Sequence, residues 1–200
     1  MSCQIEPTKI EATIAFHGHS CPGLAIGIRA AEIALRELPG VDQADLVCVT
    51  ETDMCGVDAI QFLTGCTYGK GNLIHRDCGK LAFSFHDRRS GRGFRLVFNQ
   101  QARGELHREM VALMGKGLLA ETEQQRLQAL RAEMQQRLMT LPADELFAIQ
   151  PLDQAPPRPA RVLQSLVCDD CGESTMESRT RRFAGRTLCI PCFARIEQKI

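Results

Sequence analysis

The sequence predicts an α+β core domain with a helical arm, joined by a linker to a small four-cysteine zinc finger. Helix-like and strand-like segments are mixed without a repeating βα rhythm, which favours α+β over a doubly wound parallel sheet. The segment QAPPRPAR, residues 154–161, holds three prolines and is typical of a semi-stiff linker. Two Cys-x2-Cys pairs follow it. We therefore assign residues 1–153 to the core domain, with a helical segment at 105–148, and residues 162–200 to the finger.

The composition is that of a folded protein without a strong charge. Of the 200 residues 44% are hydrophobic and the formal net charge is zero, so no overall attraction to nucleic acid or to a membrane surface is expected. The N-terminus lacks the apolar segment of a signal peptide, and no apolar run reaches membrane-spanning length. These features predict a cytoplasmic protein without a membrane partner. In that compartment ten cysteines indicate metal ligands and reactive thiols rather than disulfides.

The first half of the chain predicts three helices and a strand. A short helix is expected at residues 6–15. A stronger helix is expected at 22–38, where apolar residues recur every three or four positions before a Pro-Gly pair. Its apolar face is wide, so this helix should be buried on more than one side. The β-rich run at 45–51 predicts an interior strand, and Asp53 is placed to cap a helix that ends at Gly65.

The second half of the core predicts a hairpin and two helices. Residues 80–88 and 93–99 alternate in the manner of strands, with Arg-Ser-Gly-Arg as the turn between them. Helices are expected at 105–114 and 121–139. The second helix has a narrow apolar stripe that favours packing on the core or on a partner chain, formed by Leu127, Leu130, Met134, Leu138 and Leu141.

The segment FHGHSCPG, residues 16–23, is the main candidate for a site in the core. His17, His19 and Cys21 alternate with other residues, so an extended backbone would place all three side chains on one side as a set of metal ligands. Pro22 suits the first position of a helix, which puts Cys21 at the N-cap. The positive end of the helix dipole favours a thiolate there, the form that binds metal or attacks an electrophile.

A second group of candidates follows the predicted strand. Cys55 also falls in the first turn of a helix, between two carboxylates, Asp53 and Asp58, that can move protons. The next loop, GCTYGKGN, is not a P-loop, because its spacing is one residue short and no Ser or Thr follows the lysine. Further candidates for binding a cofactor or an anion are Cys66, Thr67, Lys70 and Lys80. Mixed His and Cys donors suit zinc or another transition metal, and three protein ligands with an open position would permit catalysis.

The C-terminal cysteines have the spacing of a structural zinc site. Seventeen residues separate two close pairs, and the predicted ligands are Cys168, Cys171, Cys189 and Cys192. A hairpin over residues 180–188 and a closing helix over 192–199 would give an arrangement that looks like a treble clef. Acidic residues nearly balance the arginines of this segment, so docking to protein is favoured over binding to nucleic acid.

Taken together, the core motifs resemble a known family. FHGHSCPG, ETDMCGVDAIQ at residues 51–61, GCTYGKGNL at 65–73 and DCGK at 77–80 have the order seen in the FmdE family, which is named after a component of formylmethanofuran dehydrogenase. The resemblance covers about residues 10–100. It implies an α+β core, intertwined dimers and, in some members, a C-terminal treble-clef finger.

The resemblance also implies a site and a role. Cys21, Cys55 and His19 would be the strongest metal or catalytic candidates in a cavity lined by these motifs. Their neighbours would be His17, Asp53, Asp58, Cys66, Thr67 and Lys80. The family's namesake is a molybdenum or tungsten enzyme of one-carbon metabolism. We therefore expect a homodimer with structural zinc in the finger and a second transition metal in the core, in an accessory or enzymatic role beside such an oxidoreductase.

Two alternatives stay open. A metal-handling or sensing protein would bind the core metal reversibly and would catalyse no reaction. A regulator would use the finger, which also looks like the fingers of DksA-type factors, on RNA polymerase or nucleic acid. If the chain is an enzyme, the core metal would act as a Lewis acid or activate water, with Asp53 or Asp58 moving protons.

Overall fold

A computed structural model describes residues 3–197 and divides the chain into two compact units. The division falls between Pro159 and Ala160, inside the proline-rich segment. The helices are Pro7–His17 (α1), Pro22–Glu37 (α2), Gly56–Thr64 (α3), Gly104–Met114 (α4), Glu121–Thr140 (α5), Ala143–Leu146 (α6) and Ile190–Ile196 (α7). The strands are Leu46–Thr50 (β1), Leu73–His75 (β2), Ala82–Asp87 (β3), Gly93–Phe98 (β4), Phe147–Pro151 (β5), Ser165–Val167 (β6), Ser174–Met176 (β7), Thr180–Phe183 (β8) and Arg186–Cys189 (β9). Within residues 3–197, none of the helices combines the length and the hydropathy that crossing a bilayer requires.

The core unit is built on one five-stranded sheet. Its strand order is β2-β1-β3-β4-β5, with β1 and β2 parallel and the other neighbours antiparallel. The interior strand β1 and the hairpin β3–β4 confirm the predictions from residue pattern. The sequence does not reveal β2, which has three residues. The helical segment predicted over 105–148 is wrong at its end, because Phe147 is buried opposite Phe98 and begins β5.

Helix α2 is the centre of the core unit. Every residue from Leu24 to Ala34 is buried, which confirms the prediction that more than one side of the helix is covered. The buried Arg29 donates to Glu32 at 2.6 Å and to two carbonyls in the last turn of α5. These bonds satisfy helix-end carbonyls of α5 and join that helix to α2.

Helix α5 packs on the core through its predicted stripe. Leu127, Leu130, Met134 and Leu138 are buried, whereas the Gln- and Arg-rich residues between them are largely exposed. This pattern confirms packing on the core. Met134 and Leu138 of the stripe belong to one hydrophobic cluster with residues of α2 and of one face of the sheet.

The finger unit consists of two antiparallel hairpins and a short helix. β6 pairs with β7, and β8 pairs with β9. The second hairpin turns at Ala184 and Gly185, as predicted, and both have positive φ, 49° and 77°, which matches the twist of the strands. Helix α7 begins at Ile190, before the predicted start at 192, and residues 198 and 199 of the predicted helix lie outside the described residues.

Candidate metal centre

His17 is placed by the end of α1 rather than by an extended segment. The helix ends at His17, and Gly18 follows with a φ of 90°, a left-handed conformation that suits glycine. The backbone is extended at Cys21. The prediction of an extended backbone across His17, His19 and Cys21 is therefore wrong. The turn at Gly18 nevertheless brings the two histidine rings to a centroid distance of 4.5 Å.

Cys21 is the N-cap residue of α2, as the following proline indicates. Its Sγ accepts a hydrogen bond from the backbone N–H of Leu24 at 3.3 Å. Backbone N–H groups and the helix dipole at this position stabilise negative charge on sulfur. The cap therefore holds the sulfur in a setting that suits metal binding.

Three glycines allow α2 and α3 to approach closely enough for two cysteines to meet. A Cβ added to Gly27 would lie 2.2 Å from the carbonyl oxygen of Gly56, and a Cβ on Gly23 would lie 3.2 Å from Cβ of Cys55. The two helices thus contact each other backbone to backbone. Because Cys55 directly precedes α3, this contact brings it to Cys21.

Four side chains converge where these elements meet. One potential ligand atom from each of His17, His19, Cys21 and Cys55 lies within 4.8 Å of the other three. Ligands of a tetrahedral zinc ion, 2.0–2.3 Å from the metal, are roughly 3.3–3.8 Å apart. Side-chain movements on the order of 1 Å would therefore complete a coordination sphere.

His17 is oriented by a carboxylate. Its Nδ1 lies 2.7 Å from Oδ2 of Asp58, while its Nε2 is buried and has no hydrogen-bond partner among the described residues. A buried polar atom without a partner is unfavourable. In metal sites, however, a histidine commonly donates one N–H to a carboxylate and binds the metal through its other nitrogen. The His17–Asp58 pair therefore fits a bound metal ion.

The four side chains differ in exposure. His19 is exposed, whereas the other three are partly buried. Burial, followed by the hydrogen bond and the charge of Cys21, raises the pKa of the Cys55 thiol. A cation between the two sulfurs would oppose this effect by favouring thiolates. The group can thus hold a cation on His17, Cys21 and Cys55, with His19 on the solvent side.

Two predicted site residues lie outside this group. Asp53 is exposed in the turn before α3, and Cys55 rather than Asp53 is the N-cap residue of that helix. Cys66 is fully buried, with its Sγ 3.5 Å from the carbonyl oxygen of Leu46. Burial raises the pKa of the Cys66 thiol. The hydrophobic core takes up Cys66, so its predicted place beside the ligands is wrong.

The other predicted cofactor contacts are also not part of the ligand group. Thr67 stabilises the glycine-rich loop, because its N–H donates to Oδ1 of Asn72 at 2.9 Å and its Oγ1 accepts from the N–H of Lys70. Lys70 is exposed. Lys80 is exposed as well, and its backbone N–H donates to the carbonyl of Glu51 just beyond β1.

The family resemblance ranks His17 too low, and the sequence motifs do not by themselves reveal the close contact that glycines allow between α2 and α3. The residue pattern predicts His17 as a ligand with His19 and Cys21, but the family resemblance ranks it only as a neighbour. The structure gives it the best-oriented nitrogen of the group. The signal for the close helix contact was present in Gly23 and Gly27, which are four residues apart on one helix face, and in Gly56 directly after Cys55.

The finger holds the second group of potential ligands. One sulfur from each of Cys168, Cys171, Cys189 and Cys192 lies within 4.8 Å of the others. The backbone N–H groups of Cys171 and Cys189 lower the pKa of Cys168 to about 6, which makes it a thiolate at neutral pH. Four sulfurs in this arrangement fit a tetrahedral structural zinc ion.

Two family models match this chain, one over the core and one over the finger. A family model described as "FmdE, Molybdenum formylmethanofuran dehydrogenase operon" matches residues 16–148. The chain belongs to the FmdE family. A second model, "Prokaryotic dksA/traR C4-type zinc finger", matches residues 163–198. Both resemblances drawn from the motifs are thereby confirmed.

One curated protein and one solved structure are similar to this chain over most of its length. A probable S-adenosyl-L-methionine-binding protein from Archaeoglobus fulgidus is 30% identical over 193 residues, which cover 88% of this chain and 50% of that protein. The chain thus spans about half the length of this curated relative. The crystal structure of a tungsten formylmethanofuran dehydrogenase FmdE-like protein from Syntrophus aciditrophicus gives a TM-score of 0.64 at 23% identity, covering 94% of this chain and 92% of that one. This likeness confirms the mixed α/β fold of the core.

Proposed function

We propose that this FmdE-family protein binds a transition metal ion in its core through His17, Cys21 and Cys55, with His19 as a displaceable fourth ligand. The observation that carries the proposal is the buried Nε2 of His17, which lacks a protein partner among the described residues and stands beside two thiols. Asp58 keeps the proton on Nδ1, so Nε2 is free to bind. When bound, the ion would supply Lewis acidity at the position that His19 vacates.

We further propose an accessory or enzymatic role for this centre in one-carbon or redox metabolism. The family assignment supports this role. The partners we expect are a second copy of the chain and a molybdenum or tungsten oxidoreductase, and the location we expect is the cytoplasm. In this scheme Asp58 positions His17 rather than exchanging a proton with a substrate, because its Oδ2 is held by His17 and its Oδ1 accepts a hydrogen bond from Nε2 of Gln61.

Metal analysis of the full chain tests the core site, with the finger as internal reference. We expect two metal ions per chain in the wild type, one for each ligand group, and one in Cys55→Ser. Cys78→Ser is the matched control, because Cys78 is exposed and belongs to neither group, and it should keep both ions. Equal metal content in all three proteins would contradict the proposal.

A metal-handling role is the second candidate, and the exposure of His19 favours it, since an exposed ligand eases exchange. Exchange of core-bound zinc against a chelator separates the two roles. Release within seconds would support metal handling, whereas retention over hours would support a resident cofactor. The zinc of the finger, which has three buried ligands of four, should be retained in either case.

A third candidate is binding of S-adenosyl-L-methionine, suggested by the name of the archaeal relative. Phe16, which directly precedes His17, and Phe62 are both substantially exposed, with ring centroids 5.5 Å apart, and could stack on an adenine. Calorimetric titration with S-adenosyl-L-methionine tests this candidate. Phe62→Ala should weaken binding by at least tenfold, and absence of binding to the wild type would dismiss it.

For the finger we propose docking to protein. Arg186 and Arg195 share the carboxylate of Asp170, at 2.8 and 2.5 Å, and the five acidic residues of residues 162–200 equal its arginines in number. Phosphate contacts need uncompensated cations. A mobility-shift experiment with duplex DNA at physiological salt should show no complex, and a salt-sensitive complex lost in Arg182→Gln would favour nucleic acid instead.

A further inference from the structure

The sheet carries a polar cavity on the face opposite the hydrophobic cluster. The strand register places Val49 opposite Ser84 and Ser84 opposite Arg95, so these side chains stand in a row across β1, β3 and β4. All three line the cavity. The segment that follows β5 covers it through Leu152, Gln154, Ala155 and Pro157.

The cavity is small, and the segment that covers it is hydrogen-bonded to the rest of the core unit. Its volume is about 210 Å³, below the usual range for drug-sized ligands. Nε of Arg88 donates to the carbonyl oxygen of Pro157 at 3.0 Å, and this bond ties the covering segment to the sheet. Only a small ligand would fit.

Positive charge exceeds negative charge around this cavity. Arg95 binds both carboxylate oxygens of Glu51, at 2.5 and 2.8 Å, so this pair is neutral as a whole. Arg76 lines the cavity too, and its guanidinium makes no ion pair within residues 3–197. Arg76 and Lys80 lie beside Glu51, because their backbone N–H groups donate to the carbonyl oxygens of Thr50 and Glu51 at 2.9 and 3.0 Å. Their charges add to the effect of Arg95 in lowering the pKa of Glu51. An uncompensated cation therefore faces the cavity.

His86 adds a hydrogen-bond donor. The residue is 5% exposed, lines the cavity, and its Nδ1 is buried with no hydrogen-bond partner in the described part of the chain. Burial, with the charge of Arg76, lowers the pKa of His86, so the ring is neutral at neutral pH. An N–H group is less easily buried unpaired than a lone pair. The proton therefore belongs on Nε2, which can donate it to a ligand.

We propose that this cavity binds a small oxyanion through Arg76, His86 and Ser84. A guanidinium, an imidazole N–H and a hydroxyl are all donors, so a ligand with several acceptor oxygens and a negative charge complements them. Guanidinium geometry matches carboxylate and phosphate alike. The site shares no residue with either group of potential metal ligands, so the proposal does not depend on the metal centre.

Calorimetric titration of the metal-loaded full chain tests the site, with inorganic phosphate in one arm and acetate in the other. Binding of phosphate alone or of acetate alone shows whether the site takes a phosphate or a carboxylate group. Arg76→Gln should weaken that binding at least tenfold, and it should still fold because Arg76 is exposed. Arg131→Gln is the matched control, since Arg131 is an exposed arginine on α5 outside the cavity, and binding should stay within twofold of wild type.

A second measurement locates the ligand. In the nitrogen NMR spectrum of histidine-labelled protein, the Nε2 signal of His86 should shift on addition of the ion that binds. His86→Gln, whose amide can replace the Nε2 donor, should retain binding better than His86→Leu. Absence of binding in both arms, or binding that neither Arg76→Gln nor His86→Leu weakens, would overturn the proposal.

Discussion

The two groups of potential metal ligands are built in opposite ways. In the finger, Cys168 and Cys171 lie on the turn between β6 and β7, Cys189 ends β9 and Cys192 lies in the first turn of α7. Leu188 and three of these cysteines form the finger's own buried cluster.

The core ligands come from the end of α1, the N-cap of α2 and the residue before α3. They meet because α1 packs against α2 and α3 around Leu24, Ile28 and Ala59, while α2 and α3 also contribute to the large hydrophobic cluster. We infer that the finger needs its metal ion in order to fold. The core domain, in contrast, folds without metal, and its packing brings the ligands of the core metal together.

The strongest test of this difference in metal dependence is to remove one ligand from each group. Cys168→Ser should unfold the finger, because a unit with so small a core lacks other stabilisation. In an amide NMR spectrum, the signals of residues 165–196 should collapse into the range of a disordered chain. Cys21→Ser should leave the spectrum of the core unit dispersed.

The contrast between these two variants is the critical result. A finger that stays folded after loss of Cys168, or a core that unfolds after loss of Cys21, would reverse the roles assigned to the two metals. Refolding of the wild-type protein in the absence of metal provides a check, since it should reproduce the loss of finger signals without any substitution.

A second prediction concerns the contact between α2 and α3. Gly27→Ala should destabilise the core by about 3 kcal/mol, because the added methyl would overlap the backbone of Gly56 and force the helices apart. The same displacement separates Cys55 from Cys21, so core metal should be lost as well. Urea unfolding and metal analysis measure the two effects.

Gly69→Ala is the matched control for this substitution. Gly69 has open space around it and no left-handed backbone, so the same chemical change should leave both stability and metal content close to wild type. If Gly27→Ala lowered stability but retained the core metal, the link between helix contact and ligand assembly would be wrong.

A third prediction sharpens the role of the carboxylate behind His17. Asp58→Asn should weaken core metal binding by about 10- to 100-fold, since loss of a carboxylate partner of a histidine ligand has effects of this size. Asp53→Asn, an exposed carboxylate in the same turn region, should change affinity by less than twofold. Competition with a chromophoric chelator measures both, and equal effects would remove Asp58 from the site.

The difference between the finger and the core ligand group also explains how much of each could be predicted from the sequence. The finger ligands follow from spacing alone, because turns of fixed length place the cysteines. The N-cap position of Cys21 follows from the adjacent Pro22. That Cys66 enters the core while Cys55 reaches the ligand group depends on how α2 and α3 pack, which local pattern does not specify. β5 is likewise determined by its pairing with β4 rather than by its own residues.

The smallest effect is expected at His19. Because this histidine is the exposed member of the group, His19→Ala should lower core metal affinity by less than tenfold, whereas His17→Ala should lower it by more than 100-fold. Loading the full chain with cobalt(II) gives the readout, since the visible bands of a tetrahedral site change when water replaces an imidazole. His19→Ala should keep the sulfur-to-cobalt charge-transfer bands and change the visible ones. Equal losses of affinity in the two variants would mean that His19 is a permanent ligand, and the open coordination position proposed for this centre would not exist.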